Sequence, residues 1–64
     1  MSKKSGEILK QIRIDLNLSQ TELGEKLNLP QNRISRMENS KHDIGIQKMQ
    51  DFCESLNVEL VNYI

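Results

Sequence analysis

Apolar side chains recur with the period of an α-helix in four stretches of the chain. Within each stretch they fall three or four residues apart, which places them on one face with polar residues on the other. The pattern predicts four helices, because strands would show a period of two. The inward-facing residues are Ile8, Leu9, Ile12 and Leu16 in the first helix, Leu23 and Leu27 in the second, Ile34 and Met37 in the third, and Ile46, Met49, Phe52, Cys53 and Leu56 in the fourth.

Short polar segments predict where these helices begin and end. Ser19 followed three residues later by Glu22 is a capping box, in which each side chain accepts a hydrogen bond from the other's backbone amide. Asn28 tolerates the positive φ of a helix end, and Pro30 favours a new start, either as the cap or as the first helical residue. Ser5 and Gly45 stand at two further starts. The predicted helices cover about 5–16, 20–27, 30–38 and 46–56.

The last residues, 58–64, follow a different pattern. They are rich in β-branched and aromatic side chains with partial alternation, which favours a strand over a helix. A lone strand is unstable and the sequence offers no second one, so we predict that it pairs with its copy in another subunit. The predicted fold is therefore all-α, with four helices and a short C-terminal strand that joins a homodimer. The residues of that dimer strand are Val58, Leu60, Val61, Tyr63 and Ile64.

Composition limits what else the chain can do. With 64 residues, a single domain over 1–64 is expected, with little room for a buried catalytic cavity. Only Phe52 and Tyr63 are aromatic, so the core is built from aliphatic side chains and methionine, which suits packed helices. No apolar run is long enough to span a bilayer or to act as a signal peptide. We therefore expect a cytoplasmic protein with no membrane partner.

Reactive side chains are few and isolated. Cys53 is the only cysteine, which rules out an internal disulfide and a cysteine zinc cluster, and on an apolar face it is expected to be a small core residue. His42 stands in a polar segment with no second ligand at metal-binding spacing. The sequence shows no paired carboxylates, no nucleophile with a base and no phosphate-binding loop. We predict no enzyme activity, no cofactor and no metal site.

The formal net charge is zero, but the charges are unevenly distributed along the chain. Residues 1–15 carry four basic and two acidic side chains, and residues 31–41 carry three basic and one acidic, so each segment has a net charge of +2. From Asp43 onward one basic and four acidic side chains give −3. If the two basic segments share a face, the molecule is a dipole that turns that face toward phosphate. Charges scattered over a solvated surface are the alternative.

The predicted third helix has a polar stripe opposite its apolar residues. Its four members stand at i, i+1, i+4 and i+5, which is a single face of a helix. They are Gln31, Asn32, Ser35 and Arg36. Gln and Asn pair bidentately with adenine in the major groove of DNA, Arg pairs with guanine, and Ser with either. The stripe predicts base readout, and an ordinary exposed polar face is the alternative. For Arg33, beside the stripe, phosphate, a Glu partner and solvent all stay open.

These residues also carry a resemblance to a known family. The segment Gln20-Thr-Glu-Leu-Gly, Asn28 at the turn, Ile34-Ser35, and Glu38-Asn-Ser-Lys resemble the helix-turn-helix of the Cro and phage-repressor family, also called XRE-type regulators. The resemblance covers about 8–56, most of the chain. Asn28 and Ser40 stand where that family usually has glycine. The resemblance implies a lambda-repressor-like DNA-binding domain.

Site residues follow from this resemblance position by position. Base readout falls on the stripe of the third helix, and a structural ion pair falls on Arg13 and Glu38. Phosphate contacts fall on Gln20, Asn39 and Lys41, and apart from the resemblance we expect a further phosphate contact from Lys10. The ending, a fourth helix followed by a strand, is similar to HipB-type antitoxins, small repressors that dimerise through a terminal strand and also bind a toxin kinase.

Two hypotheses about function follow. The first is a sequence-specific repressor, the autorepressor of a toxin–antitoxin operon, that binds an inverted-repeat operator as a homodimer. Its two recognition helices would lie about 34 Å apart, in successive major grooves of double-stranded DNA. The second is a protein-interaction module, an antitoxin or adaptor that occupies a toxin or kinase, with DNA binding secondary. The acidic residues from Asp43 onward are then the candidate partner surface.

Overall fold

The computed structural model describes residues 5–39 and 44–63. Within them the chain forms four α-helices and one 3-10 helix: α1 (Ser5–Asp15), α2 (Gln20–Leu27), α3 (Gln31–Asn39), α4 (Ile46–Leu56) and η1 (Leu60–Tyr63). The four predicted helices are confirmed. The differences lie at the ends, since α1 ends one residue before Leu16 and α3 extends one residue beyond Glu38.

Three asparagines end helices in the left-handed conformation. Asn17, Asn28 and Asn57 have φ values of 58°, 62° and 63°. At the start of α2, the Ser19 hydroxyl accepts from the Glu22 amide at 3.0 Å, and the Glu22 carboxylate accepts from the Ser19 amide at 2.8 Å. These bonds lower the pKa of exposed Glu22, because they stabilise the charged carboxylate. The local signals therefore set the ends of α2 as the sequence predicts.

The core lies between all four α-helices. Its nine buried apolar residues are Ile8, Leu9, Ile12, Leu23, Ile34, Met49, Phe52, Cys53 and Leu56. Burial also raises the pKa of the Cys53 thiol, because the thiolate is the form that loses its hydration. Two residues predicted to face inward do not: Leu16 is 37% exposed and Ile46 is 65% exposed. Leu16 follows the end of α1, and Ile46 is the first residue of α4, so neither lies on a packed turn.

Two glycines allow helices and a turn to approach closely. A Cβ on Gly6 would collide with the carbonyl oxygen of Met37, which places α1 directly against the last turn of α3. A Cβ on Gly24 would collide with the carbonyl oxygen of Leu29, in the turn between α2 and α3. Both obstacles are backbone atoms, so no side-chain rotation relieves them. Glycine at these two positions fixes how α3 sits on the rest of the molecule.

Ser5 has a tertiary role in addition to its place at the start of a helix. It is the first residue of α1, it is buried, and its hydroxyl accepts a hydrogen bond from the backbone amide of Ile44. The sequence predicts Ser5 as a cap for early amides of its own helix. In the structure its hydroxyl instead ties the start of α1 to the segment that leads into α4.

The C-terminal strand predicted over 58–64 is wrong for residues 58–63, and Ile64 lies outside the described residues. After Asn57, the Val58 amide donates to the carbonyl of Cys53 at 2.9 Å, and η1 packs back on α4. A lone strand would leave its backbone groups without partners, whereas the 3-10 turn bonds locally and lets Val58 and Leu60 pack on the core. The Tyr63 hydroxyl donates to Asp15 at 2.9 Å, and this hydrogen bond raises the pKa of Tyr63.

Candidate nucleic-acid interface

Helix α3 packs against α1 and α2 and leaves its opposite side in solvent. Ile34 and Glu38 are buried beneath it, while three of the four predicted base-reading residues, Gln31, Asn32 and Arg36, are exposed. The fourth, Ser35, is half-buried at the edge of the exposed face. The structure therefore brings the predicted stripe together on one accessible surface, with Ser35 as its least accessible member.

The only acidic residue of α3 is buried and paired. Glu38 is 7% exposed, and its carboxylate accepts from the Arg13 guanidinium at 2.7 Å through Nε and at 3.1 Å through Nη2. Arg13 also donates from Nη1 to the carbonyl of Leu18 at 3.0 Å. This is the Arg13–Glu38 pair that the resemblance implies. It neutralises Glu38 within the fold, so the charges left on the exposed side of α3 are those of Arg33 and Arg36.

A chain of hydrogen bonds runs from this ion pair to the exposed surface. Gln20, at the start of α2, donates from Nε2 to Glu38 Oε1 at 3.2 Å. Its own Oε1 accepts from Gln31 Nε2 at 2.6 Å. Gln31 is thereby bonded to Gln20 of α2. Gln20 is bonded in turn to Glu38, whose carboxylate is paired with Arg13. A long amide side chain that would sample several rotamers in solvent is fixed at the N-terminal end of α3.

The bond to Gln20 leaves Gln31 with a specific set of free groups. One of its two amide hydrogens is used, so one N–H donor and the carbonyl acceptor remain. Adenine offers an acceptor at N7 and a donor at N6 in the major groove, which is the complement of that donor and acceptor. The network therefore presents an amide edge suited to one base, already oriented before any ligand arrives.

A helix-turn-helix family model matches residues 9–61 of the chain. The chain belongs to the XRE-type helix-turn-helix family. Proteins of this family are DNA-binding transcription regulators, so α2 and α3 are the two helices of the motif, and α3 is its recognition helix. No curated protein and no solved structure gives a significant match. None of the described helices is long and apolar enough to cross a membrane.

Candidate phosphate contacts are distributed around this helix-turn-helix. Lys10 is exposed on α1, and Lys41 lies outside the described residues. Gln20 is the first residue of α2, where backbone amides point outward at the positive end of the helix, but its side chain is engaged with Glu38 and Gln31. The side chain of Gln20 therefore positions Gln31, and its backbone amide is the part of the residue that remains at the positive end of α2.

Asn39 occupies a different place from the one the sequence predicts. It is the last residue of α3, and its Nδ2 donates to the carbonyl of Ser35 at 2.9 Å. With Asn32 and Arg36, which are also exposed, it stands at i, i+4 and i+7 on one face of α3. The sequence predicts that this helix ends at Glu38 and so leaves Asn39 outside it. Asn39 thus continues the exposed polar face of α3 by one residue.

Proposed function

We propose that the chain is a sequence-specific transcriptional repressor that binds an inverted-repeat operator as a homodimer. The observation that carries this proposal is the network from Arg13 through Glu38 and Gln20 to Gln31. A polar surface that met only solvent would gain nothing from holding one glutamine in a fixed orientation. A base-reading surface gains affinity, because less side-chain freedom is lost on binding.

The shape of the recognition helix fits the same role. The major groove is about 12 Å wide and admits an α-helix. Helix α3 has nine residues, so it can run along the groove for about 13 Å. Gln31 and Asn32 are at its N-terminal end, where recognition helices of this motif contact base edges. Arg36 and Asn39 lie one and two turns further along. Together they can span several consecutive base pairs.

Selection of bound sequences from a random DNA pool, with the purified full chain, tests this function directly. We expect the enriched sequences to share an inverted repeat whose half-sites are about one helical turn, roughly 34 Å, apart. Enrichment of single, unrepeated sites would show that the protein binds as a monomer. If the protein recovers only unenriched DNA, and does so at low salt, it binds phosphate without sequence preference, which would contradict the proposal.

The bond between Gln20 and Gln31 gives a sharper prediction. Gln31→Ala is expected to weaken operator binding by about 1 to 3 kcal/mol and to remove the preference at one base pair of each half-site. Gln20→Ala should remove the same preference, because Gln31 then loses its fixed orientation. The double variant should cost little more than Gln31→Ala alone, since both changes remove one contact. Quantitative binding to operators substituted at each position measures all three variants.

Gln47→Ala is the matched control. Gln47 is an exposed glutamine of α4 whose side chain bonds only to Asp51 among the described residues, so its removal should leave affinity and base preference unchanged. A Gln20→Ala variant that binds every sequence more weakly, with the preference at that base pair intact, would show that Gln20 contacts phosphate alone. If the losses of affinity of the two single variants add up in the double variant, Gln20 and Gln31 act independently, which would also indicate that Gln20 contacts phosphate alone.

The surface through which two copies meet must lie elsewhere than a terminal strand. We place it at a groove of about 510 Å³ between the end of α1 and the ends of α2 and α4. Three of its lining residues are Leu16, Leu18 and Leu56, and Lys26 is its only charged one. In a two-fold dimer each surface meets its own copy, so a lining with a single charged residue limits the repulsion between like charges. We call this surface the leucine groove.

Sedimentation equilibrium of two lysine variants tests this placement. Leu16→Lys puts a second positive charge into the leucine groove beside Lys26, and we expect it to dissociate the dimer and to weaken binding to the full inverted repeat. Val61→Lys is the control: Val61 is more exposed, at 67% against 37%, but lies on η1. It should remain dimeric. The reverse outcome, with Val61→Lys monomeric, would place the interface on η1.

The structure changes what can be proposed about a toxin. The chain leaves α4 at its cap, Asn57, and forms η1 over Leu60–Tyr63 in place of the strand on which the resemblance to HipB-type antitoxins depended. We therefore propose repression without assigning a toxin or kinase to the protein. The interaction-module hypothesis keeps one supporting feature, the acidic residues that follow Asp43 in the chain.

A further inference from the structure

A second groove lies between α4 and η1. It has a volume of about 380 Å³, and its lining combines apolar and acidic residues. Cys53, Val58, Leu60 and Val61 supply the apolar surface, and Glu54 and Glu59 supply the carboxylates. We call this the acidic groove.

The acidic groove has an accessible apolar side chain, Val61, and a second one, Ile46, lies further along α4. Val61 is 67% exposed, and Ile46 is 65% exposed, the two highest values among the exposed large apolar side chains of the described residues. Ile46, Gln50 and Cys53 stand at i, i+4 and i+7, so Ile46 continues the line of the groove toward the start of α4. The resulting strip follows a helix of 11 residues, about 16 Å long. That length matches three turns of a second helix.

The charges along this strip are negative. Glu54 and Glu59 line the groove, and both side chains are exposed. Lys48 is the only basic residue of α4, but it stands six residues before Glu54 and therefore about 120° around the helix from it. The groove also lies at the C-terminal end of α4, where the helix dipole is negative. Among the described residues, no basic side chain lines the groove beside the two carboxylates.

The apolar and acidic residues of the groove determine which kind of partner can bind there. A second copy of the chain would set Glu54 and Glu59 near their own copies across a two-fold axis, which like charges disfavour. DNA is excluded by the same sign. A groove lined by Val58, Leu60 and Val61 and by two carboxylates is complementary to a helix that has one apolar face and basic flanks. We propose that the acidic groove docks a basic amphipathic helix of a partner protein, a function beyond operator binding.

Docking there is compatible with a protein on DNA. The recognition helix α3 packs on α1 and α2, whereas η1 packs on α4. The two surfaces also carry opposite charges: Arg33 and Arg36 are exposed on α3, and Glu54 and Glu59 line the acidic groove. DNA and a basic helix therefore select different surfaces of the same molecule, so the partner need not compete for the operator site.

Two synthetic peptides probe the proposal with the ¹⁵N-labelled full chain. One is an amphipathic helix of leucine and lysine of about 18 residues, long enough to cover the strip, and the other replaces each lysine by glutamate. We expect the leucine–lysine peptide to shift the NMR signals of Cys53, Val58 and Leu60, and the leucine–glutamate peptide to leave them unchanged. A shuffled leucine–lysine peptide without an apolar face should bind at least about tenfold more weakly.

Charge reversal supplies the matched variants. Glu54→Lys/Glu59→Lys should weaken binding of the leucine–lysine peptide by about tenfold or more. Glu7→Lys/Glu25→Lys makes the same change in net charge at exposed sites on α1 and α2, and should bind as the wild type does. Neither double variant should lose operator affinity.

Several results would overturn the proposal. These are equal binding of both peptides, shifts that map to α3, equal affinity of the two double variants, or no shifts at the groove at all. Shifts of the groove signals that depend on protein concentration without any peptide would assign the groove to a second copy. Shifts of the groove signals caused by operator DNA alone would show that the acidic groove is part of the DNA interface.

Discussion

Replacement of Glu38 by alanine is expected to lower the free energy of unfolding by about 3 to 5 kcal/mol, the typical cost of removing one partner of a buried ion pair. The Glu38 side chain is 1% exposed and that of Arg13 is 15% exposed. Without the carboxylate, the guanidinium keeps only its bond to the Leu18 carbonyl and is left as an uncompensated, largely buried charge. Chemical denaturation followed by circular dichroism measures the loss.

A second variant separates stability from function, and also serves if the alanine variant does not fold. In Arg13→Met/Glu38→Leu both charges are replaced by apolar groups of similar size, which usually restores most of the lost stability. Gln20 still lacks its acceptor, however, so Gln31 is no longer held. We expect a folded protein whose base preference at the Gln31 position is reduced.

The outcome that would contradict this role is a Glu38→Ala variant that is no less stable than Glu25→Ala. Glu25 is an exposed residue of α2, so its removal is expected to change the free energy of unfolding by less than about 0.5 kcal/mol. Full recovery of base preference in the double variant would show that Gln31 orients itself without the network.

Gly6→Ala is expected to be the other strongly destabilising change, although alanine favours helices. Its Cβ would collide with the Met37 carbonyl and lie 3.1 Å from the carbonyl oxygen of Glu38. Both are backbone atoms at the end of the recognition helix, so relief requires α1 and α3 to separate. Overpacking typically costs about 1 to 3 kcal/mol, against a gain of about 1 kcal/mol in helix propensity. We expect a net loss of stability and weaker operator binding, because α3 is displaced.

Gly45→Ala is the control within the same chain. Among the described residues, no atom lies within 4 Å of a Cβ built at Gly45, and its φ of −56° suits any L-residue. Gly45 is the N-cap of α4, where alanine is less favourable than glycine, so its substitution should lower the free energy of unfolding by less than about 1 kcal/mol. Gly24→Ala should behave as Gly6→Ala does, because its obstacle is the Leu29 carbonyl. Equal midpoints in urea for all three variants would show that α1 and α3 are not held at a fixed distance.

Different parts of the site were predictable to different degrees. The exposed stripe of α3 followed from the spacing of Ile34 and Met37, because a helix that buries one side must expose the other. The Arg13–Glu38 pair was implied only by the resemblance to a family, since its members are 25 residues apart. The bond between Gln20 and Gln31 had no sequence signal, and both residues were assigned as independent DNA contacts.

The sequence by itself determined the four helices, the capping box of α2 and the asparagines that end α1, α2 and α4, because those signals act within one or two turns of the backbone. Only the tertiary structure decided what residues 58–63 become. Their β-branched and aromatic side chains favour a strand that pairs with another strand. Without a partner strand, η1 bonds locally and packs on α4. Packing also decided that Gln20 holds Gln31 and that Gly6 meets α3, since both depend on distances between separate helices.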